Sequence, residues 1–517
     1  MSLGRYVRRT RAHRPQAEAV ICGDTRLTYA ALDEDSDRLA AALRDRGLRK
    51  GDCVATLASN RAELVVAEIA LYKAGLVRAP INARLGEQEV AHLLQESAAR
   101  VLLLDAEHLR ATGRAVEELD AVVDFDGTGA AGTVGYRALL DAAPVEAVDV
   151  DCADDDVAVL HFTSGSTGAL KAATQTYGNR LALMRKVVMG GDTRIEPGDK
   201  EILAGPITHA SGMPLMGIFF TGGCAVVMPR WDAESFLAAI EQERATHAFV
   251  VPTMINAVLA LPNAHEYDRT SLRQLIYGAA PMSPQRIREA WEFFGPVLSQ
   301  GYGCGETTSG VLFLSTADHR LAIEGHDDEL LLSCGRPRTE AEVAVVDGEG
   351  RPVPNGEVGE IAVRGPDVVP GYYHEPDLTA ESFRDGWFHT GDLARQRGDG
   401  YVFIVDRKKD MIVSGGFNVY AVEVEAVLHQ HADVFEAAVV GVPDEQWGEA
   451  VKAVVVPRAG TALDDAALIE FCARRLARMK KPRSVDVIES LPHNPNGKLD
   501  RRAVRDRYWA GADRRVH

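Results

Sequence analysis

Residues 161–173 combine hydroxyl, glycine and lysine side chains in the way that suits a polyphosphate-binding loop. They read H-F-T-S-G-S-T-G-A-L-K-A-A, and a mostly apolar run at 157–162 leads into them as a predicted strand. Glycines let backbone N–H groups turn toward one point, hydroxyls add donors, and a lysine brings a mobile positive charge. The run is not a Walker loop, because Lys171 does not directly follow a glycine and no Ser or Thr follows it. A flexible Ser/Gly turn is the alternative interpretation of this run alone.

Two further loops of small residues follow predicted strands, G-A-A-P at 278–281 and G-Y-G-C-G-E-T at 301–307. Ligands of parallel sheets gather where strands give way to loops at their carboxyl ends. The three loops therefore predict one pocket. The second glycine run is not a dinucleotide fingerprint, because its third glycine is misplaced for GxGxxG.

Strand and helix patterns alternate along most of the chain, which predicts an α/β protein. We expect a large N-terminal domain of two helix-covered, mainly parallel sheets plus a small β subdomain at 340–401, and a mobile α+β C-terminal domain. The domains are predicted to span 1–408 and 409–517. A helix is predicted over 28–48, and a Gly/Ala-rich loop at 127–135 is predicted to separate two subdomains.

Composition excludes several classes of protein. The net charge of −18 over 517 residues argues against general binding to nucleic acid or acidic membranes. No apolar run approaches a membrane span, and the N-terminus lacks the apolar core of a signal peptide, so we interpret the protein as cytoplasmic. The seven scattered cysteines form neither a CxxC pair nor a metal-ligand spacing, which argues against a disulfide framework and against a zinc site.

Seven motifs in order resemble those of the adenylate-forming superfamily, which includes acyl- and aryl-CoA synthetases, peptide-synthetase adenylation domains and beetle luciferases. The resemblance covers nearly the whole chain. The motifs are T-S-G-S-T-G-A-L-K (163–171), G-A-A-P (278–281), Y-G-C-G-E-T (302–307), H-T-G-D (389–392), D-R-K-K-D (406–410), S-G-G-F-N-V-Y (414–420) and P-N-G-K (495–498). It implies an acid:CoA ligase that converts a carboxylic acid through an acyl-adenylate to its CoA thioester, using ATP/AMP, Mg²⁺ and coenzyme A.

The resemblance also implies roles for single residues. Tyr302 would stack on adenine, Asp392 would bind both ribose hydroxyls, and Glu306 would hold the Mg²⁺ that bridges ATP phosphates. The residues matched to nucleotide binding are Thr163, Ser164, Gly165, Ser166, Thr167, Gly168, Lys171, Gly278, Ala279, Ala280, Tyr302, Gly303, Asp392 and Arg407.

Five matched residues would serve catalysis and the change between half-reactions. Lys498 would bridge the substrate carboxylate and the α-phosphate, and Lys409 would be the hinge of a swinging C-terminal domain. Gly415 and Gly416 would let the backbone approach a pantetheine arm. His209 matches a residue that gates the acyl pocket from the thiol tunnel, although a packed core histidine is an equal interpretation.

The acyl pocket is predicted from small residues, which leave room for a bulky, mostly apolar acid, aromatic or polycyclic. Ala210-Ser211-Gly212 lacks the aspartate that amino-acid-activating relatives place after the position of His209, which disfavours an amino acid. The predicted lining is His209, Ala210, Gly212, Gly278, Ala279, Gly303, Cys304 and Gly310.

Three departures from the family pattern predict that adenylation is weaker than thioester formation. Most relatives have proline at Leu170, glycine at Ala172 and a hydroxyl residue at Gly305. Gly305→Thr with Leu170→Pro is therefore expected to raise adenylation. The extreme case is an enzyme that takes acyl-adenylate from a partner adenylating enzyme.

The alternatives to an acid:CoA ligase are an acyl-AMP ligase that loads a carrier protein and a non-catalytic ligand-binding relative. The predicted partners are the small-molecule acid and CoA, with an acyl carrier as the alternative thiol. Neither nucleic acid nor a membrane span is expected.

Overall fold

The computed structural model describes residues 3–113, 115–164, 170–189, 192–415, 417–444, 446–458, 460–493 and 499–509, with Ser164 described in its backbone only. The chain divides into two compact units. Unit 1 comprises Met1–Val343 with Val363–Phe388, and unit 2 comprises Ala344–Ala362 with His389–His517. The boundary predicted after residue 408 falls inside unit 2, and it stays a prediction about which part of the chain moves. Among the described residues, no helix has the length and apolar character needed to cross a membrane.

The first sheet of unit 1 has seven strands, and all neighbours are parallel except the last pair. Their spatial order is Thr133–Gly135, Ala121–Asp124, Ala99–Leu104, Cys53–Leu57, Val77–Pro80, Val157–Ser164 and Leu170–Thr176. The prediction that 127–135 separates two subdomains is wrong, because its last residues form an edge strand and residues 157–176 return to the same sheet. Gly and Ala residues indicate a turn, but they do not show which sheet the following strand joins.

The second sheet of unit 1 has nine strands, parallel in its centre and antiparallel at both edges. Their order is Arg336–Pro337, Gly310–Leu314, Leu298–Gly303, Gln274–Gly278, His247–Val250, Lys200–Leu203, Cys224–Val227, Glu18–Cys22 and Thr25–Thr28. The prediction of mainly parallel sheets is confirmed. The sequence does not indicate that the N-terminal strands join this second sheet.

Helices cover both sheets and begin and end where local chemistry predicts. The Thr28 side chain caps Tyr29–Asp45 by accepting from Ala31 N, and Ala62–Ala74 ends at Gly75 in the left-handed region. The other helices of unit 1 are Arg5–His13, Glu87–Glu96, Tyr136–Ala142, Tyr177–Met189, Leu215–Thr221, Ala233–Glu243, Pro252–Leu259, Pro284–Phe294, Thr316–Glu324, Asp328–Leu331 and Pro376–Ser382.

The loops predicted to bind ligand lie side by side in unit 1. Gly278 pairs with Gly301 at the ends of two parallel strands, so the loops that begin there leave the sheet at the same edge. The strand predicted at 157–162 forms at Val157–Ser164, and residues 165–169 of the predicted phosphate-binding loop lie outside the described part of the chain.

Unit 2 contains the predicted α+β unit. Its sheet runs in the order Phe417–Val419, Ile412–Ser414, Gly448–Pro457 and Val434–Asp444, with Ser484–Val487 parallel to the third. The helices are Ala421–Leu428, Asp465–Ala473 and Arg501–Asp506. The predicted short strands of 340–401 are Glu342–Val346, Val358–Arg364, Phe383–Arg384 and Trp387–Gln396, followed by Val402–Arg407.

Candidate functional site

Glu306 is the centre of a polar cluster in unit 1. The side chain is buried, and its Oε1 accepts hydrogen bonds from the Tyr372 hydroxyl at 2.9 Å and the Thr163 hydroxyl at 3.2 Å. Lys171 Nζ lies 3.9 Å from the same oxygen and 3.8 Å from the centroid of the Tyr372 ring. The structure thus brings together three residues predicted from the sequence, Thr163, Lys171 and Glu306.

Tyr372 is absent from the residues predicted from the sequence. Its segment is fixed to the site by backbone bonds, from Val369 N to Glu306 O at 2.9 Å and from Tyr373 N to Ala172 O at 2.8 Å. Burial and the Glu306 carboxylate raise the pKa of the Tyr372 hydroxyl, so that it remains a donor. The sequence feature that could have identified Tyr372 is the pair of tyrosines after Pro370-Gly371.

Buried polar side chains fix the backbone that carries Glu306. Gln175 Nε2 donates to Gly305 O at 3.1 Å, and Arg180 Nη1 donates to Gln175 Oε1 at 3.4 Å. Arg180 Nη2 also donates to Glu68 Oε1 at 3.2 Å. Each of these groups is buried, so a movement of the loop would leave a buried hydrogen-bonding group without its partner. The network therefore holds the loop in one conformation.

His161 and Thr163 fill the space beside Gly305. A Cβ on Gly305 would lie 2.5 Å from His161 Cδ2 and 2.6 Å from Thr163 Cγ2. The expectation that a threonine here simply adds a phosphate-directed hydroxyl is therefore wrong, because its side chain would first have to displace the imidazole. Ala172, another predicted weakness, is a buried strand residue that pairs with Phe162.

His161 also contacts His209, the predicted gate of the acyl pocket. Their ring centroids are 5.8 Å apart in an edge-to-face arrangement, and Thr208 Oγ1 lies 2.9 Å from His209 Nδ1. Burial, assisted by the nearby charges of His209, Arg78 and Arg180, lowers the pKa of His161 to about 3. His161 is therefore a neutral packing surface behind His209 rather than a cation at neutral pH.

At three positions of the predicted acyl pocket, a neighbouring backbone carbonyl leaves no space for a side chain. A Cβ on Gly212, Gly278 or Gly303 would collide with a carbonyl oxygen, that of Ile207, Gly301 or Ser309 respectively. A Cβ on Gly310 would meet nothing closer than Tyr302 O at 3.5 Å. The expectation that all these small residues leave space for the acid is therefore wrong for three of them, because close backbone packing requires glycine at those positions.

Ala279 and Cys304 lie in the two loops of small residues at 278–281 and 301–307. Burial, together with the Glu306 charge, raises the pKa of the Cys304 thiol well above its usual value, which favours the neutral thiol at neutral pH. Ala279 adopts φ +66°, a left-handed conformation that is uncommon for a residue with a Cβ and occurs often at functional loops.

In unit 2, the two predicted nucleotide contacts face each other across a strand pair. Asp392 is the register partner of Arg407, and their Oδ1 and Nε atoms are 3.3 Å apart. Lys409 lies exposed in the turn that follows. The buried Asp406 before it accepts from Arg407 N at 2.7 Å and from Ala421 N, which ties the turn to the start of the next helix.

Gly415 has φ +58° and packs against Trp447. A Cβ there would collide with the indole ring, and Gly415 N donates to Trp447 O at 2.8 Å.

Six predicted site residues lie outside the described part of the chain, as does the side chain of Ser164: Gly165, Ser166, Thr167, Gly168, Gly416 and Lys498.

The oxygen atoms around Glu306 suit a magnesium ion that takes most of its ligands from the phosphates of the bound nucleotide. Within the described ranges, no cluster of three or more His, Cys, Asp or Glu side chains could hold a metal. Mg²⁺ typically uses one or two carboxylates and completes its shell with phosphate oxygens and water. Glu306 would hold the ion, which when bound neutralises phosphate charge.

The family follows from comparison with known proteins. A model of AMP-binding enzymes matches residues 7–373, and a model of the AMP-binding enzyme C-terminal domain matches 423–498. The chain belongs to the AMP-binding enzyme family. A feruloyl-CoA synthase from Amycolatopsis sp is 40% identical to this AMP-binding enzyme over 506 residues, covering 97% of this chain and 98% of that protein. This member of the family is an ATP-dependent acyl-CoA synthetase.

Two further similarities concern related reactions. The fatty acid–[acyl-carrier-protein] ligase ScoC from Streptomyces coeruleorubidus is 36% identical to this AMP-binding enzyme over 515 residues, 98% of this chain and 96% of that protein. The structure of the amide bond synthetase McbA from Marinactinospora thermotolerans matches with a TM-score of 0.88 at 30% identity and covers 98% of this chain and 99% of that one. The similarity at this level confirms the predicted fold class.

Proposed function

We propose that this AMP-binding enzyme joins a bulky, mostly apolar carboxylic acid to coenzyme A through an acyl-adenylate. The observation that carries the proposal is the cluster of Thr163, Lys171, Glu306 and Tyr372 at strand ends in unit 1. The likeness to a feruloyl-CoA synthase supports an aryl acid, which makes ferulic acid the first compound to test.

In the first half-reaction, a carboxylate oxygen of the acid attacks the α-phosphorus of ATP, and pyrophosphate leaves. This step needs positioning more than proton transfer. Lys171 supplies positive charge beside the phosphates, and Thr163 and Tyr372 keep the Glu306 carboxylate oriented for the metal. Lys498 would bridge the acid and the α-phosphate. In the second half-reaction, the thiol sulfur of CoA attacks the acyl carbonyl carbon and AMP leaves.

The hinge proposal predicts that Lys409→Pro separates the two half-reactions. Proline fixes φ, so the turn at 408–410 would be held in one conformation and the C-terminal domain in one state. We expect either pyrophosphate release or thioester formation from synthetic acyl-adenylate to fall at least about 10-fold more than the other. Lys409→Ala is the matched control, since it removes the charge and keeps the backbone freedom. Equal loss in both assays would show that Lys409 is only a surface charge.

We also propose that thioester formation is the faster half-reaction. The support is the freer backbone at Leu170, which leaves the segment that carries Lys171 less preorganised for the phosphates than a proline would. The assay compares pyrophosphate release from acid and ATP with thioester formation from synthetic acyl-adenylate and CoA. Adenylation that is as fast as thioester formation would contradict it.

A carrier protein is the second candidate thiol, and the likeness to ScoC favours it. Incubating the enzyme with ATP, acid and either free CoA or a phosphopantetheinylated carrier separates the two. Thioester on the carrier with none on CoA would favour the carrier.

A further inference from the structure

The backbone on both sides of the Glu306 side chain is fixed by hydrogen bonds. Before it, Gly305 O accepts from Gln175 Nε2 at 3.1 Å and from Thr308 N at 3.1 Å, and the second of these bonds closes a tight turn. After it, Glu306 O accepts from Val369 N at 2.9 Å. The direction in which the carboxylate leaves the backbone therefore depends on these three donors.

This turn depends on bonds from outside it because glycine stands at 303 and at 305. A glycine loses more conformational freedom when it is ordered than any other residue does. The donor from outside the turn, Gln175, lies on the strand Leu170–Thr176. Lys171 is four residues earlier on the same face of that strand, so one strand face carries both a predicted nucleotide-binding lysine and the amide that holds the turn.

The Gln175 amide can hold the turn in only one of its two orientations. Its NH₂ group must face Gly305 O, because two oxygens turned toward each other repel and leave both without a donor. Arg180 selects this orientation, since its Nη1 donates to Gln175 Oε1 at 3.4 Å and a guanidinium can only donate. Arg180 thus acts on the turn through the amide and does not contact it.

The guanidinium of Arg180 is oriented in turn by two side chains of the helix Ala62–Ala74. Its Nη2 donates to Glu68 Oε1 at 3.2 Å, and its Nε donates to the Tyr72 hydroxyl at 3.0 Å. The Tyr72 hydroxyl donates to the same Glu68 oxygen at 3.1 Å, and Arg78 pairs with the other oxygen. These side chains are buried, so solvent does not compete for their bonds.

We propose that Gln175 is a positioning residue for the Glu306 carboxylate and that Arg180 sets the orientation of its amide. The inference rests on the proposed function, in which Glu306 holds Mg²⁺ during adenylation. Residues that orient a metal ligand typically contribute about 10- to 100-fold in metal affinity or activity. The effect is confined to adenylation, because thioester formation from a synthetic acyl-adenylate consumes no ATP.

The first test replaces Gln175 with methionine, which keeps the length of the side chain and removes both hydrogen bonds. We expect the Mg²⁺ concentration for half-maximal pyrophosphate release to rise about 10-fold, with thioester formation from synthetic acyl-adenylate nearly unchanged. The matched control is Tyr29→Phe, which also removes a bond to a buried carbonyl, that of Gly223, away from the predicted site. An unchanged Mg²⁺ requirement in Gln175→Met, or an equal rise in Tyr29→Phe, would overturn the inference.

A second measurement needs neither metal nor turnover. Amide hydrogen exchange is followed by mass spectrometry in peptides that cover 303–310 of the enzyme without added metal. Gln175→Met should exchange faster there than the unmodified enzyme, because the turn opens more often, and Tyr29→Phe should not. Arg180→Lys should also exchange faster, since lysine keeps the charge but lacks the planar fork of donors. Unchanged exchange at 303–310 in either Gln175→Met or Arg180→Lys would overturn the inference.

A third measurement separates this inference from the proposed function. Gln175→Met is combined with Glu306→Gln, and pyrophosphate release is compared at one subsaturating Mg²⁺ concentration. If Gln175 acts through the carboxylate, its replacement should have little further effect once the carboxylate is gone. Equal losses in both backgrounds would overturn the inference while the metal role of Glu306 stands. If Glu306→Gln alone leaves pyrophosphate release intact while exchange at 303–310 still rises in Gln175→Met, the metal role fails and the positioning of the turn stands.

Discussion

Replacing Glu306 with glutamine is expected to lower the rate of acyl-adenylate formation by about 100- to 1,000-fold, the usual cost of removing one group that stabilises charge in the transition state. Glutamine keeps the shape of the side chain and an oxygen that can accept from Tyr372 and Thr163, so the fold should persist. The amide lacks the negative charge that a hard cation requires. Pyrophosphate release at saturating ATP measures the loss.

Two comparisons make this result specific. Tyr372→Phe keeps the carboxylate but removes one hydrogen bond to it, so we expect a loss of about 10-fold with a higher Mg²⁺ requirement. Thioester formation from synthetic acyl-adenylate should remain nearly unchanged in Glu306→Gln. Equal loss in both half-reactions, or retention of most pyrophosphate release, would contradict the role of Glu306 as metal ligand.

Gly305→Thr is expected to destabilise the enzyme and to slow adenylation by more than about 10-fold, because its Cβ would collide with His161 and Thr163. Overpacking of this kind costs about 1–3 kcal/mol. Gly348→Ala is the control, since an added Cβ there meets nothing within 4 Å and the position lies outside the predicted site. Tm and pyrophosphate release are measured for each variant.

The collision with His161 is tested by adding His161→Ala to Gly305→Thr. Removing the imidazole opens the space that the threonine needs, so the double variant should be more stable and more active than Gly305→Thr alone. The two changes should therefore be coupled, since they share one contact. Additive effects, or a Gly305→Thr variant as stable as the unmodified enzyme, would contradict the packing account.

Much of the local structure could be predicted because short-range chemistry decides it. The helix predicted over 28–48 forms at Tyr29–Asp45, since the Thr28 side chain caps its start. The loops at 278–281 and 301–307 follow strands as predicted, and the register of Gly278 with Gly301 explains why they lie together.

What could not be predicted depends on contacts between residues far apart in the chain. Gly305 and His161 are separated by 144 positions, and nothing in either local sequence shows that one fills the space left by the other. A glycine that allows close backbone approach, such as Gly278, also has the same sequence signature as one that leaves room for a ligand.

The most direct test of the central claim is to incubate the enzyme with ATP, Mg²⁺, free CoA and a panel of aryl and alkyl acids that includes ferulic acid, and to quantify AMP and thioesters by mass spectrometry. The account predicts one CoA thioester per AMP for at least one bulky, mostly apolar acid, with the acyl-adenylate accumulating when CoA is left out. Release of AMP without any CoA thioester across the panel, or no AMP at all, would contradict it.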